Sequence, residues 1–342
     1  MARLLFEYAK LIRLAGLGGL SLAPVFGALS LKDIGIVIDL KIIGPLLLLG
    51  IFKSIFGFVQ NDYADIEKDK VSEETKQRPL VTGIISKKAA ILICAICVIG
   101  TFIIVFTFFY KNLSSFYLGI LCILLSALIG SIYNFYGKKF YASPFIAALA
   151  DASYVLVGAF FVSPTGTFSI FTWVIFILVY NQFLFMTVVV GGAKDADHDY
   201  LTNVKNLALA SGVKVTNDKK VFIPLKFKAF GLGIRLISSF VVFVPFAFYE
   251  KNYQIWEILI LVLLVISVLF LTVKLLNVKS LEKREDVIKL AGLQGFLRYA
   301  YVPILLLPVI GSTYTFILLA FPLLWYVIST PFTGKKLFGN LM

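Results

Sequence analysis

Histidine is almost absent from this chain of 342 residues: there is one, His198. A lone imidazole excludes a multi-histidine metal site and counts against zinc and haem ligation. Cysteine is nearly as scarce. Cys94, Cys97 and Cys122 all fall inside apolar runs, so no disulfide framework is expected. The CxxC string within ILICAICVIG reads as two small membrane residues, not as a redox or metal motif. Charge is the third shortage. Only 15% of residues are charged against 60% hydrophobic, and a mean hydropathy of +0.94 does not describe a soluble surface. The net charge of +13 comes from basic residues dispersed among short segments, which speaks against a nucleic-acid partner.

What the chain has instead is a succession of apolar runs, each long enough to cross a hydrocarbon core of roughly 30 Å as a helix. The first, in MARLLFEYAKLIRLAGLGGL, follows basic residues as a signal peptide would. It continues through SLAPVFGALS without a convincing cleavage site and reads as a transmembrane helix. Hydropathy places helices near 11 to 31, 42 to 61, 89 to 110, 113 to 136, 144 to 163, 167 to 191, 229 to 249 and 255 to 277. A last stretch from Gly295 to Phe332 is either one span with a tail or two spans broken at Gly311-Ser312, so nine or ten helices are expected, with ten preferred.

Charge gives the orientation. Arg3, Lys10 and Arg13, the Lys68 to Lys88 group, Lys138 and Lys139 fall on one side with the lysines between Lys194 and Lys228 and with Arg235. The segment from Lys274 to Arg298 joins them, and Lys335 and Lys336 do so if the last stretch crosses twice. The other side receives only Lys32, Lys41, Lys111 and Lys251. Basic segments stay cytoplasmic. The N-terminus and the loops at 62–88 and 192–228 are therefore expected to be cytoplasmic.

Those two loops carry the carboxylates. The second helix runs into QNDYADIEKDK, where Asn61, Asp65 and Asp69 recur every four residues and share one face of a continuing helix, with Asp62 beside it. The sixth runs into KDADHD, where Asp195 and Asp199 are again four apart and Asp197 points elsewhere. Carboxylates crowded on one face repel unless a cation joins them. Hard oxygen donors suit Mg²⁺, which usually takes one or two carboxylates plus water and phosphate oxygens. Two such clusters on one side of the membrane point to a shared metal and an anionic substrate.

These residues resemble the UbiA superfamily of intramembrane prenyltransferases. Its first motif, NDxxDxxxD, is matched by Asn61, Asp62, Asp65 and Asp69, and its following arginine-proline pair and glycine by Arg78, Pro79 and Gly83. Its second motif, DxxxD, is matched by Asp195 and Asp199. The GxKTLP-like loop after it is altered, with Asn203, Asn206 and Ala208 in place of glycine, threonine and proline around Lys205. Lys10 to Arg13 is similar to the family's opening LxR helix. The resemblance covers about the first 235 residues well and the last hundred by hydrophobicity alone.

The resemblance implies an all-α polytopic membrane helix bundle, one integral-membrane domain over 1–342, whose cavity opens at the cytoplasmic side. It also implies Mg²⁺-dependent transfer of a polyprenyl group from an isoprenyl diphosphate to a lipophilic or amphiphilic acceptor, either an aromatic or quinone precursor or a glycerol-phosphate ether lipid. Asn61, Asp65, Asp69, Asp195 and Asp199 become the metal ligands, with Asp62 as a substrate or supporting contact. Arg78 and Lys138, then Lys139, Lys205 and Arg13, are the candidates to hold the diphosphate. Tyr133 imperfectly matches the family's YxxxK and either steadies cationic charge or anchors at the interface.

Lys53 and Asp151 are conspicuous on cost, because ionisable groups at membrane depth usually face a cavity or a partner. Asp151 is a candidate acceptor contact or a structural hydrogen-bonding group. Lys53 is a candidate anion contact or a neutraliser of nearby carboxylates. Asn181 and Gln182 serve equally well as glue between helices. The 33 phenylalanines offer a tunnel lining, with none assigned. The rival function is a divalent-cation transporter, which would place carboxylates near the bilayer midplane in broken helices or inverted repeats; here they sit at helix ends.

Overall fold

In a computed structural model, the protein is described at residues 2–71, 75–110, 113–196, 199, 204–216, 218–248, 253–281 and 284–333. Asp197, His198, Asn203, Lys111, Lys251, Lys283, Lys335 and Lys336 lie outside the described residues. Among the described residues, ten helical segments are long and apolar enough to cross a membrane: Leu14–Ile34, Leu40–Ala64, Lys87–Phe108, Ser115–Lys139, Ser143–Val162, Ile170–Lys194, Leu225–Ala247, Ile255–Leu276, Glu285–Ile310 and Ser312–Thr333. They are referred to as the first to tenth spans. A short helix, Ala2–Leu11, precedes them.

Local chemistry fixes several boundaries. Asp39, Ser86 and Ser169 cap the second, third and sixth spans by accepting from Lys41, Ala89 and Phe171 backbone N–H groups at 2.9, 3.1 and 3.1 Å, which satisfies donors that a helix start leaves orphaned. Gln254 and Glu257 form a reciprocal capping box at the eighth. Gly311 separates the ninth and tenth spans at φ 81°, a left-handed conformation that glycine adopts without steric cost. The last apolar stretch therefore forms two helices, each long and apolar enough to cross.

The ninth span corrects the sequence reading in one respect. Its helix begins near Arg284 rather than Gly295, so the polar string EDVIKLAGLQ is part of a span and not of a loop. Arg298, and Arg235 in the seventh span, were assigned to cytoplasmic loops; both lie inside spans, 2% and 1% exposed. Hydropathy ranks such segments low because it prices each residue alone, while inside the bundle the polar groups satisfy one another.

The first, fifth and sixth spans pack against one another. Gly27 and Gly158 bring the first and fifth spans together reciprocally: a Cβ on Gly27 would collide with the backbone of Val155, and one on Gly158 with that of Pro24. Small residues of this kind are how helices pack in lipid, where no hydrophobic force draws them together. Ser30 and Thr172 hydroxyls meet at 2.6 Å between the first and sixth spans, and Ser126 donates to the Ala150 carbonyl at 2.7 Å between the fourth and fifth. Outside the spans, Lys214–Val215 and Val221–Phe222 pair as a two-stranded antiparallel ribbon, a minor strand element that the all-α expectation lacks.

Candidate active site

The second span ends at Ala64, and Asp65 leaves helical geometry at φ −96°, ψ 2° before a single turn, Ile66–Asp69. Backbone bonds continue across the break, from Asp65 N–H to the Asn61 carbonyl at 3.0 Å and from Asp69 N–H to the Asp65 carbonyl at 2.8 Å. The four-residue spacing therefore does bring these side chains together. Asp62, Asp65 and Asp69 are buried at 5, 4 and 3% exposure.

Basic residues from three other places close on them. Arg78 Nη1 reaches Asp69 Oδ2 at 2.7 Å and Asp62 Oδ1 at 3.1 Å. Arg13 Nη2 reaches the same Asp62 oxygen at 3.1 Å, with its guanidinium 4.6 Å above the Phe58 ring. Lys138, at the end of the fourth span, lies 2.9 Å from Asp65 Oδ2, and Lys68 lies 3.6 Å from Asp65 Oδ1. Arg13 holds φ 49°, ψ 49°, a left-handed conformation uncommon for a residue with a Cβ and costing of order 1–3 kcal/mol. The contacts to Asp62 and Phe58 offset that cost and set the kink between the short N-terminal helix and the first span.

The electrostatics follow from this crowding. Burial pushes the Asp69 carboxyl above its ordinary pKa, Arg78 opposes, and the nearby Asp65 and Asp62 charges push it further up. Burial works against the charge of Arg78, but Asp62, Asp69 and Asp65 outweigh it and raise the guanidinium above its ordinary value. Burial and the neighbouring Lys138 lower Lys68.

The second motif is delivered by a distorted helix. Residues Phe185–Gly191 of the sixth span form a π-helical stretch, a widened turn found often at functional sites, and Asp195 and Asp199 follow. Asp199 N–H bonds the Asp195 carbonyl at 2.9 Å. Lys194 lies 3.4 Å from Asp195 Oδ2. Asn206 donates to Asp199 Oδ2 at 2.5 Å while its own Oδ1 accepts from Leu209 N–H at 2.7 Å, capping the helix Leu207–Ala210. The departure from the family's threonine thus places an amide that both caps and holds the carboxylate. Lys205 N–H bonds the Lys138 carbonyl at 3.1 Å, tying the loop to the fourth span.

Both motifs line one cavity of about 1790 Å³. Asn61, Asp62, Asp65, Asp69, Asp195, Asp199, Arg13, Arg78, Lys138, Lys205, Tyr133, Lys53 and Asp151 all contribute to its wall. Lys139 does not; its Nζ lies 5.1 Å over the Tyr136 ring. Tyr133 packs where Gly137 leaves space, since a Cβ there would meet its ring at 2.8 Å. Lys53 and Asp151 form an ion pair with each other across the second and fifth spans, and Lys53 also lies 5.3 Å over Phe183 and 5.7 Å over Tyr154. Sequence reasoning missed Asn134, whose Oδ1 accepts from Asn61 Nδ2 at 3.3 Å and whose Nδ2 donates to Gln60 Oε1 at 2.8 Å. Its signal was an amide in an apolar run, where polar groups seek partners on other helices.

The donor set fits a hard divalent cation in chemistry. Asp65 Oδ1 is buried with no hydrogen bond, and bonding of Asn61 through its nitrogen to Asn134 leaves its oxygen as a donor atom. Among the described residues no three carboxylate, imidazole or thiol groups form a closed metal cluster; arginine and lysine now neutralise these carboxylates.

Comparison with known proteins agrees with this geometry. The chain is 24% identical over 305 residues to the digeranylgeranylglyceryl phosphate synthase of Saccharolobus solfataricus, covering 86% of this chain and 95% of that one. It is 30% identical over 188 residues to the protoheme IX farnesyltransferase of Protochlamydia amoebophila, covering 54% of this chain and 61% of the relative's length. Its fold superposes on a UbiA homologue from Archaeoglobus fulgidus bound to GPP and Mg²⁺ with a TM-score of 0.56 at 19% identity, covering 86% of this chain and 99% of that one. The family model described as the UbiA prenyltransferase family matches residues 21–293. The chain belongs to the UbiA prenyltransferase family, as a multi-pass integral membrane protein.

Proposed function

We propose that this protein transfers a polyprenyl group from an isoprenyl diphosphate to a lipophilic or amphiphilic acceptor, releasing diphosphate, with Mg²⁺ as cofactor. The observation that carries the reading is the convergence of both aspartate motifs and four basic residues, Arg13, Arg78, Lys138 and Lys205, on one cavity. The homologue bound to GPP and Mg²⁺ supports it. The site lies on the cytoplasmic face in this reading, because the basic segments flank it, and the whole chain acts as one membrane domain.

Asn61, Asp65, Asp69, Asp195 and Asp199 would hold the metal. When bound, Mg²⁺ supplies charge neutralisation for the leaving diphosphate, a Lewis-acid role. The chain's own groups do the rest. Arg78, Lys138, Lys205 and Arg13 bind the diphosphate oxygens, exchanging carboxylate partners for phosphate. The Tyr133 ring lines the same cavity, and its π-face would stabilise the positive charge that develops on the allylic carbon as the carbon–oxygen bond to diphosphate breaks. The acceptor's nucleophilic atom then bonds that carbon and gives up its proton to the released diphosphate. The apolar wall, with Phe52, Phe102 and Phe183, excludes the water that would otherwise capture the cation. A cation conduit is disfavoured, because the carboxylates gather at the ends of two spans and not at their middles.

The test is incubation of detergent-purified protein with radiolabelled geranylgeranyl diphosphate, Mg²⁺ and a panel of aromatic and glycerol-phosphate acceptors. A prenylated product that disappears with EDTA is expected. Absence of both product and diphosphate release across the panel would overturn the reading.

A further inference from the structure

The small ribbon of Lys214–Val215 and Val221–Phe222 has no part in this mechanism, and neither does the segment that follows the eighth span. The two form one unit. Val221 N–H bonds the Lys279 carbonyl at 2.9 Å and Leu281 N–H the Lys219 carbonyl at 2.8 Å, so 279–281 runs beside the second strand. Thr216 N–H bonds the Lys220 carbonyl and Lys219 N–H the Thr216 carbonyl, both at 2.9 Å, with Lys219 left-handed at φ 56°. Successive residues of a strand face opposite ways, and the register sets Lys214 opposite Phe222 and Val215 opposite Val221. The inner face is apolar: Val215 and Val221 pack with buried Val213, Ile223 and Leu281 on a cluster that includes Phe227, Leu275 and Leu276. The outer face carries Lys214, Lys220 and Phe222, all exposed.

Charge collects around that face. Lys219, Lys226, Lys274 and Lys279 are exposed beside it, and Lys228 Nζ donates to the neutral Asn277 Oδ1 at 2.6 Å. Among the described residues none of these lysines pairs with a carboxylate. Asp218 in the turn and Glu285 and Asp286 at the start of the ninth span are the described carboxylates closest in sequence, and Asp286 lies 3.9 Å from Lys289. Apolar surface sits in the same place. Phe222 is 63% exposed and Leu225, the first residue of the seventh span, 80%. Three residues of extended chain reach about 10 Å, and head groups extend roughly 5 to 8 Å beyond the hydrocarbon on each side. The ribbon therefore stays within reach of the head-group layer. An exposed ring flanked by lysines at that depth is what segments lying in a membrane interface present. An acidic soluble protein would match the charge but not the continuity of Phe222 and Leu225 with a lipid-facing span.

We propose that the outer face of this ribbon docks on anionic lipid head groups of the surrounding membrane, with Lys214, Lys220 and Lys226 on the phosphates and the Phe222 ring at the acyl boundary. None of these four residues lines the cavity, so the surface stands apart from the prenyl-transfer reading. The test places the full-length protein in nanodiscs of neutral phosphatidylcholine, or of phosphatidylcholine mixed with phosphatidylglycerol, and follows hydrogen exchange at the strand amides. A lysine near an anionic surface strengthens binding about fivefold. Three lysines should therefore slow exchange about tenfold or more in the mixed nanodiscs, and high salt should remove the effect. The triple variant Lys214→Gln, Lys220→Gln, Lys226→Gln should exchange at the neutral-nanodisc rate with an unchanged unfolding temperature. Phe222→Ser should lose part of the protection and keep its salt dependence. Glycerol phosphate added to neutral nanodiscs should change nothing, because the surface reads an array of head groups and not one phosphate. Equal exchange in the two nanodiscs would overturn the proposal, as would undiminished protection in either variant or protection by glycerol phosphate alone.

Discussion

Under the proposed metal assignment, Arg78 and Mg²⁺ compete for the same carboxylates, and that competition can be measured. Arg78 bridges Asp69 and Asp62 at 2.7 and 3.1 Å. Removing one partner of a fully buried ion pair costs about 3–5 kcal/mol. The Arg78 side chain is 31% exposed, so solvent screening reduces the expected cost of Arg78→Ala to about 2 kcal/mol. Mg²⁺ can replace the lost charge. At a hundred times its dissociation constant, a ligand bound only to the folded state stabilises by about 2.7 kcal/mol, enough to recover that loss. Thermal unfolding in detergent, with and without saturating Mg²⁺, should therefore show a larger Mg²⁺-induced rise for Arg78→Ala than for wild type. Protonation is the other route to relief. The Asp69 pKa is already raised by burial and rises further without Arg78. A carboxyl raised in this way favours the folded state below its unfolded pKa and loses that contribution as pH rises through the folded value. Metal-free Arg78→Ala should accordingly regain stability on acidification more than wild type does. Equal Mg²⁺ shifts in the two proteins, or a larger one in wild type, would refute the competition.

Asp65→Ala and Asp195→Ala should each abolish turnover while the protein remains extractable and folded; wild-type rates in both would end the metal-site assignment. Asn206→Asp keeps a helix cap but sets a second carboxylate against Asp199, so turnover should fall about tenfold or more while the unfolding temperature moves little, as read by parallel kinetics and thermal scans. Gly158→Val forces a side chain into the Pro24 backbone and should cost about 3 kcal/mol or more, seen as loss of monodisperse protein on size-exclusion chromatography. In a cysteine-free background, Gln77→Cys and Lys214→Cys should be labelled from the same side of the membrane by an impermeant maleimide.

The residues that could be read from sequence are those whose partners are close along the chain. Asn61, Asp65 and Asp69 needed only the periodicity of a helix, and Asp195 with Asp199 likewise. Span count followed from length and hydropathy, helped by a glycine at 311 that marks its own break. What stayed hidden depends on side chains meeting from different segments. Asn134 is an unremarkable amide until Asn61 and Gln60 are set opposite it. Lys53 and Asp151 each look expensive alone, and the structure resolves both costs in one ion pair.

Arg235 and Arg298 show the same limit in its strongest form, and they also bear on how the cavity is built. The charge tally counts each with the cytoplasmic segments although the hydropathy stretches at 229–249 and 295–332 contain them, and nothing local distinguishes a snorkelling arginine from a buried one. The bundle accommodates Arg235 through Gln182, Gln294 and Thr272, polar residues on three other helical faces, while Arg298 donates to the Leu178 carbonyl. Such a network rigidifies the wall that it crosses, because each donor has few alternative acceptors in a lipid-excluded interior. The carboxylate end has the opposite character. Its ion pairs at Arg13, Arg78 and Lys138 are a third or so exposed on the basic side and can exchange partners when a diphosphate and a metal arrive. A rigid polar wall deep in the bundle and an exchangeable charge cluster at the mouth suit the proposed transfer, in which the diphosphate must be released after every turnover while the cavity keeps its shape.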